Sequence, residues 1–131
     1  MYQKMIILGN LGNDPVLKYT PAGQAVTNFS VATNNTYKGK DGNLVKETTW
    51  FRVSVWGNQA ESCNNFLRSG SKVLIEGRMT VDKDTGGPRI FQKNDGTHSA
   101  NYEITANVVK FLDSREDSPQ QSNNAQDDLP F

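Results

Sequence analysis

The chain has 131 residues, the size of one compact domain, so we expect a single folded domain without a second catalytic or cofactor domain. Its longest uninterrupted apolar run is Met5 to Leu8, far shorter than the ~18 residues that span a bilayer, so we expect a soluble protein. A single cysteine cannot form an internal disulfide, and no leader-like segment opens the chain. We therefore expect it in the cytoplasm.

The net charge of zero conceals an uneven distribution along the chain. Residues 1–112 hold 13 Lys and Arg against 9 Asp and Glu, a net charge of +4, whereas residues 113–131 have a net charge of −4. A basic body suits a polyanionic partner, and an acidic segment rich in Ser, Gln and Asn is typical of a disordered interaction tail. We predict a folded domain over 1–112 and a disordered acidic tail over 113–131.

Segments rich in Val, Ile, Thr and aromatic residues predict five strands, at 3–9, 25–37, 47–57, 72–81 and 101–112. The Gly-containing segments 38–43, 84–88 and 94–96 predict loops or hairpin turns between them. One short helix fits between the third and fourth strands. This order predicts an all-β, five-stranded OB-fold, a Greek-key barrel, although an SH3-like barrel or another small β fold shares much of the pattern.

The helix is predicted to begin with Asn58 as its N-cap, with Glu61 three residues later, and to end before Gly70. Helical spacing places four apolar residues on one buried face: Ala60, Cys63, Phe66 and Leu67. We therefore interpret Cys63 as a core residue. The alternative, a reactive thiol, would need a partner, and the single histidine lies on a distant predicted loop.

The third predicted strand carries the most informative pattern, because side chains alternate between the two faces of a strand. One face has the apolar residues of a barrel interior, and the other carries Trp50, Arg52, Ser54 and Trp56. Two indoles with a guanidinium between them suit unpaired nucleobases, which stack on aromatic rings while phosphates contact cations. A subunit interface, or the helix packed over this face, is the alternative explanation.

Two loops supply further aromatic and basic residues for such a face. They are Tyr37, Lys38 and Lys40 after the second predicted strand, and Arg89, Phe91 and Lys93 between the fourth and fifth. Tyr37 is in phase with the interior residues Phe29 and Val31. It reaches the nucleic-acid face only if its strand twists or bulges beyond Thr33.

Enzymatic patterns are weak in this sequence, and we expect a protein that is not an enzyme and has no cofactor or metal. One histidine and one cysteine cannot build a zinc site, and no Gly-rich segment is followed by Lys and Ser or Thr as a phosphate-binding loop requires. Asp82, Asp84 and Gly86 faintly match a calcium-binding loop. The position of its bidentate glutamate, however, is occupied by Lys93.

Two long segments resemble the bacterial-type single-stranded DNA-binding proteins. They are ILGNLGNDPVLKYTPAGQAVTNFSVAT at 7–33 and ETTWFRVSVWGNQAESCNNFLRSGSKVLIEGRM at 47–79. The resemblance implies an OB-fold subunit of a homo-oligomer, most often a tetramer, that binds single-stranded DNA without strong sequence preference. It also implies a location with the nucleoid. It implies stacking roles for Tyr37, Trp50, Trp56 and Phe91, with Arg52 as a basic contact. About seven extra residues, around Val81 to Pro88, lengthen the last hairpin relative to the family pattern.

The final DDLPF resembles the acidic tip of the same family, which implies recruitment of replication, recombination and repair proteins. Its residues are Asp127, Asp128, Leu129, Pro130 and Phe131. An aromatic ring next to carboxylates fits an apolar pocket rimmed by Lys or Arg. A tail that merely improves solubility would not need these apolar residues. A primosome-like or RNA-binding OB module, and a structural adaptor that buries its tryptophans, are the other functions to test.

Overall fold

The computed structural model describes residues 1–112. Their secondary structure, in chain order, is β1 (Met5–Leu11), β2 (Val16–Tyr19), β3 (Ala25–Lys38), β4 (Leu44–Trp56), α1 (Asn58–Phe66), β5 (Lys72–Met79), β6 (Ile90–Gln92), β7 (His98–Ala100) and β8 (Tyr102–Phe111). This part of the chain contains no helix long and apolar enough to cross a membrane. The predicted tail, 113–131, lies outside the described residues.

Five of the strands form a closed barrel in the order β1, β5, β8, β4, β3, and a second pairing of β3 with β1 completes the circle. All neighbours are antiparallel except β4 and β8, which run parallel. The predicted five-stranded barrel with one helix before its fourth strand is confirmed. Sequence reasoning did not predict β2, a short strand that adds an outer edge to β3.

Alternation of side chains along the strands builds the barrel interior. On β4, Val53 and Val55 are buried, and they lie opposite the buried Phe29 and Thr27 of β3. Val, Ile and Phe favour strands because branched and aromatic side chains pack well on a pleated surface. The interior therefore fixes which residues of β3 and β4 point outward.

The helix differs from its prediction at both ends. Gly57, with a φ of 78°, is the N-cap and Asn58 is already the first helical residue. Phe66 is 70% exposed rather than buried, because at 3.6 residues per turn it lies about 120° around the helix from Ala60. The helix ends there, and Leu67 adopts an extended conformation that turns its side chain into the core.

Helix α1 packs against the barrel core through its buried residues. Ala60 and Cys63 are fully buried, as predicted, and the Thr27 Oγ1 donates a hydrogen bond of 2.6 Å to the carbonyl oxygen of Ala60. Burial raises the pKa of the Cys63 thiol to about 11. The interpretation of Cys63 as a core residue is therefore consistent with its environment, since a reactive cysteine has a lowered pKa.

The predicted turns connect strands as expected. Residues 39–43 join β3 to β4, and 93–97 join β6 to β7, with positive φ values of 85° at Gly42 and 89° at Gly96. Such angles are strained for any residue with a Cβ, so glycine sets these two turns. The hairpin of β6 and β7 forms a separate small sheet beside the barrel, and it carries Phe91.

Candidate nucleic-acid interface

The row Trp50, Arg52, Ser54 and Trp56, here called the stacking face, lies on the outer side of β4 as its alternation predicts. The exposed fraction is 53% for Trp50 and 41% for Trp56, although α1 packs nearby against the core. Within residues 1–112, both indoles thus remain open to solvent. Large aromatic rings left exposed on a sheet are typical of a binding surface.

Short side chains of β3 flank the stacking face. The register places Ala32 opposite Trp50 and Val26 opposite Trp56, with Ser30 and Asn28 between them. The Ser54 Oγ donates a hydrogen bond of 2.7 Å to Asn28 Oδ1, which orients that amide. Directly opposite residues on paired strands lie about 5 Å apart, so small neighbours leave space beside each ring for a flat ligand.

A groove of about 270 Å³ lies on the β2 side of the stacking face and contains two cations, Arg52 and Lys18. Neither forms an ion pair or a side-chain hydrogen bond with any residue of 1–112. Lys18 lies opposite Val26, which in turn lies opposite Trp56. We name this the basic groove. Lys18 was missed by sequence reasoning because β2 was not predicted, and its four residues, VLKY, show no alternation of apolar and polar side chains that would indicate a strand.

A second groove, of about 290 Å³, lies between the stacking face and the β6–β7 hairpin. Arg52, Arg89 and Phe91 all line it, so the structure brings together three residues predicted from separate segments. Arg89, however, donates a hydrogen bond through Nη2 to Glu103 Oε1, and this bond raises the pKa of Arg89. Its guanidinium is thus already paired with a carboxylate, whereas Arg52 has no such partner within residues 1–112.

A third groove, of about 490 Å³, runs along the other end of the stacking face and is lined by Trp50 and Tyr102. Tyr102 is 63% exposed, and its ring centroid lies 5.9 Å from that of Phe51. Sequence reasoning did not include Tyr102, although it is the first aromatic residue of the last predicted strand. Because Tyr102 is paired with Phe51, its side chain lies on the side of the sheet that faces the barrel interior, opposite to the side that carries Trp50.

The long arm of β3 and β4 carries Tyr37 away from the stacking face. The pairing of the two strands shows no shift in register from Val26 to Lys38, so no bulge changes the phase of Tyr37. Its hydroxyl donates a hydrogen bond of 3.2 Å to Glu47 Oε2, and the negative charge of Glu47 raises its pKa. The side chain of Tyr37 therefore points to the same side of the sheet as those of Phe29 and Val31, and to the opposite side from that of Trp50.

Three predicted phosphate contacts lie at the tips of hairpins. Lys38 ends β3, Lys40 lies in the following turn, and Lys93 begins the turn between β6 and β7. All three are exposed, and none of them lines the three grooves described above. They could contact only a nucleic acid that extends beyond the barrel face.

The segment with the faint calcium-loop pattern forms a self-contained turn. Asp82 Oδ1 accepts hydrogen bonds from the backbone N–H groups of Asp84 (2.8 Å) and Thr85 (3.2 Å). The carboxylate is thus used to hold its own backbone. Across residues 1–112, no group of three or more His, Cys, Asp or Glu side chains is placed to hold a metal ion.

Comparison with known proteins agrees with this geometry. Residues 2–112 match the Single-strand binding protein family. The chain belongs to this family. A single-stranded DNA-binding protein from Xanthomonas axonopodis pv. citri is 42% identical over 112 residues, which cover 86% of this chain and 58% of the relative. One from Helicobacter hepaticus is 35% identical over 128 residues, covering 95% and 71% of the two chains.

Solved structures share the fold. The Plasmodium falciparum SSB complex with ssDNA superimposes with a TM-score of 0.71 at 25% identity, covering 86% of this chain and 97% of that one. A mutant of the single-stranded DNA binding protein from Thermus aquaticus superimposes with a TM-score of 0.65 at 23% identity, over 86% and 51% of the two chains. This chain spans 58% of the length of the Xanthomonas axonopodis relative and 61% of the length of a single-stranded DNA-binding protein from Xanthomonas campestris pv. campestris, which is 41% identical over 112 residues. The family is named for binding and not for a catalysed reaction, in agreement with the expectation of a non-enzyme.

Proposed function

We propose that the chain binds single-stranded DNA with little sequence preference and protects it during replication, recombination and repair. The single observation that carries this proposal is the stacking face, where two exposed indoles flank a guanidinium that has no ion-pair partner among residues 1–112. Family membership supports it, since the relatives are named as single-stranded DNA-binding proteins and one structural neighbour is a complex with single-stranded DNA.

In the proposed mechanism, bases stack on Trp50, Trp56 and Phe91 while phosphates contact nearby cations. Each stacked base contributes ~1–3 kcal/mol, and every base has a π-face, so this term is largely independent of sequence. The net charge of +4 over residues 1–112 adds an electrostatic attraction that weakens with salt. Lys38, Lys40 and Lys93, at exposed hairpin tips, would contact phosphates of a strand that leaves the barrel face.

Titration with oligo(dT) tests this proposal through tryptophan fluorescence. Stacking of thymine on the indoles should quench the emission, and Trp50→Ala should reduce both the quenching and the affinity. Single-stranded RNA and duplex DNA of equal length serve as competitors, which separates DNA binding from the function of an RNA-binding OB module. Unchanged emission at saturating oligo(dT) would contradict the proposal and favour a structural adaptor.

The acidic tip, Asp127 to Phe131, would recruit partner proteins of DNA metabolism. It lies outside the described residues, and the support for this role is chemical: an aromatic ring beside carboxylates fits an apolar pocket rimmed by cations. Deleting Phe131 should leave oligo(dT) binding intact and abolish capture of partners from lysate. Identical capture with and without Phe131 would contradict the recruiting role.

Assembly into a homo-oligomer, most simply a tetramer, would allow one strand to contact several barrels. The outer sides of β1 and β5 support this, because Ile6 is 59% exposed and Leu8 is 51% exposed, with Leu74 directly opposite Leu8. Light scattering should give a mass near that of four chains for the wild-type protein. Leu8→Lys should give a smaller mass, because it places a charge on the proposed interface. A monomeric mass for the wild-type protein would contradict the proposed assembly.

A further inference from the structure

The segment 12–15, which connects β1 to β2, lies against one edge of β3. On that edge β3 pairs with β1 at Val31 and with β2 from Asn28. Phe29 and Ser30 lie between these two pairings, where the connecting segment takes the place of a strand. Backbone N–H and C=O groups need hydrogen-bond partners, so we asked which groups of the segment supply them.

The side chain of Asn13 supplies the partner for the backbone of β3. Its Oδ1 accepts a hydrogen bond of 3.0 Å from the Ser30 N–H and one of 2.6 Å from the Ser30 Oγ. The Gly12 N–H donates to the Ser30 carbonyl oxygen at 2.9 Å, so the segment satisfies both backbone groups of Ser30. A carboxamide oxygen has two lone pairs and can accept two such bonds. Asn13 therefore holds the segment 12–15 on β3.

The turn after α1 holds the same segment from its other side. Asp14 Oδ1 accepts a hydrogen bond of 2.8 Å from the Ser69 N–H. The Gly70 N–H donates to the Leu11 carbonyl oxygen at 2.8 Å. Within the segment, the Asn13 Nδ2 donates to the Asp14 carbonyl oxygen at 3.0 Å, which orients the carboxamide. Attachment on both sides thus fixes an exposed loop.

The segment borders two parts of the stacking face. The indole of Trp50 reaches across β3 to Gly12 and leaves no space there for a side chain. Asn13 lines the basic groove together with Arg52. Ser30, the residue that Asn13 holds, lies directly opposite Arg52 in the register of β3 and β4. Displacement of the segment would therefore remove the support of the ring.

A neutral acceptor suits this position better than a charged one. An aspartate would offer the same kind of oxygen to Ser30, but it would add a negative charge to the groove that contains Arg52 and Lys18. That charge would oppose the attraction of the two cations for a phosphate. Asn13 holds Ser30 without this cost to the groove.

We infer that Asn13 is a positioning residue for DNA binding, because its side-chain oxygen holds the segment 12–15 on Ser30 and so keeps the Trp50 indole in place to stack on a base. Asn13 acts through Trp50, not by contact with the DNA. A ring that is already in place needs little ordering when a base binds, which favours affinity. This inference rests on the proposed function and extends it to a residue outside β4.

Quenching of the DNA-free protein by acrylamide tests the position of the ring. Trp56→Phe leaves Trp50 as the single tryptophan, because the chain has two. In this background, Asn13→Ala should increase the quenching, since the released segment uncovers one edge of the ring. Asn13→Asp keeps the acceptor oxygen and should leave the quenching unchanged, because acrylamide is neutral and does not respond to the added charge. Unchanged quenching in Asn13→Ala, or an equal increase in both variants, would overturn the inference.

A double-mutant cycle with oligo(dT) separates positioning from other roles of Asn13. Asn13→Ala should lower the affinity by about fivefold or more when Trp50 is present, the factor equivalent to the lower end of the ~1–3 kcal/mol of stacking. In a Trp50→Ala background it should cause no further loss, because the ring through which it acts is absent. An equal loss in both backgrounds would mean that Asn13 contacts DNA or only supports the fold. That result would overturn the inference, as would no loss in either background.

Asn43→Ala is the matched control, because it removes the same group from an exposed turn. Asn43 lies at the tip of the arm of β3 and β4, donates through Nδ2 to Asp41 Oδ2 at 3.1 Å, and lines none of the three grooves. Its acrylamide quenching and affinity should stay at the wild-type values, and changes equal to those in Asn13→Ala would contradict the inference. The acrylamide experiment needs no DNA, whereas quenching of the wild type by oligo(dT) tests the proposed function, so the two failures are distinguishable.

Discussion

The indole of Trp50 lies directly against Gly12. A Cβ added to Gly12 would come within 2.4 Å of Trp50 Cζ3 and 2.7 Å of Cη2, closer than any real contact. The Gly12 N–H donates a hydrogen bond of 2.9 Å to the Ser30 carbonyl oxygen, which fixes the backbone at this point. The segment after β1 therefore supports one edge of the ring, and the absence of a side chain there determines where the ring rests.

Gly12→Ala should displace the indole of Trp50. Gly12 does not have a positive φ, so the alanine backbone is unstrained and the effect comes from the contact with the ring. We expect a shift of tryptophan emission and a loss of oligo(dT) affinity of at least about fivefold, the lower end of the stacking contribution of ~1–3 kcal/mol. Measuring both in a Trp56→Phe background makes Trp50 the sole reporter. If emission and affinity both stay unchanged, Gly12 does not position the ring.

Lys18→Gln should reduce the salt dependence of DNA binding. Lys18 shares the basic groove with Arg52 and has no ion-pair partner among residues 1–112, so it is free to contact a phosphate. The slope of log K against log salt concentration is negative, and loss of one phosphate contact reduces its magnitude by about 0.7 for single strands. Oligo(dT) titrations over a range of salt concentrations measure this slope.

Lys83→Gln provides the control for Lys18, because Lys83 is exposed in the loop after β5, outside the grooves around the stacking face. It removes the same charge from the protein, so any general electrostatic effect appears in both variants. The slope should stay at the wild-type value in Lys83→Gln. Equal slopes in the two variants would show that Lys18 contributes only to the overall charge.

Glu103→Gln should tighten DNA binding at low salt. The substitution releases Arg89 from its ion pair and removes a negative charge from the groove that also contains Arg52 and Phe91. We expect the affinity for DNA to rise by up to about fivefold, the factor equivalent to an exposed ion pair of ~0.2–1 kcal/mol. This rise should disappear as the salt concentration increases. Glu76→Gln, which breaks the Lys4–Glu76 pair on another face, should not have this effect. A loss of affinity in Glu103→Gln would instead mean that Glu103 holds Arg89 in its binding position.

Cys63 should remain unreactive in the folded protein and should make stability depend on alkaline pH. Burial raises the pKa of its thiol from an ordinary value of 9.0 to about 11, so the unfolded chain loses this proton at lower pH than the folded one. Its contribution to the free energy of unfolding is constant below about pH 9 and declines as pH rises towards 11. Urea denaturation of the wild type and Cys63→Ala at several pH values measures this difference. Rapid labelling by a thiol reagent at pH 7 without urea would contradict the buried position.

Alternation along a single strand made much of the interface predictable. In the segment 47–57, the period of two residues separates interior valines from the two tryptophans and Arg52, and the structure has this arrangement. The order of strands and helix likewise predicts the barrel. Both inferences depend on spacing within a local segment, which is a property of the sequence.

Contacts between segments needed the tertiary structure. The pairing of β2 with β3 brings Lys18 into the groove of Arg52, and the parallel pairing of β4 with β8 brings Tyr102 beside Phe51. The same pairing places Glu103 opposite Arg52, within reach of Arg89. None of these neighbours is close in sequence, so no local period indicates them.

The sequence by itself determined the fold class, the outward row of aromatic and basic residues on β4, and membership of a family of binding proteins. Closure of the barrel decided which residues surround that row, because closure sets the register between strands. It placed Glu103 opposite Arg52, where Glu103 pairs with Arg89. Local periodicity fixes the direction in which a side chain points, whereas register fixes the residue that it meets.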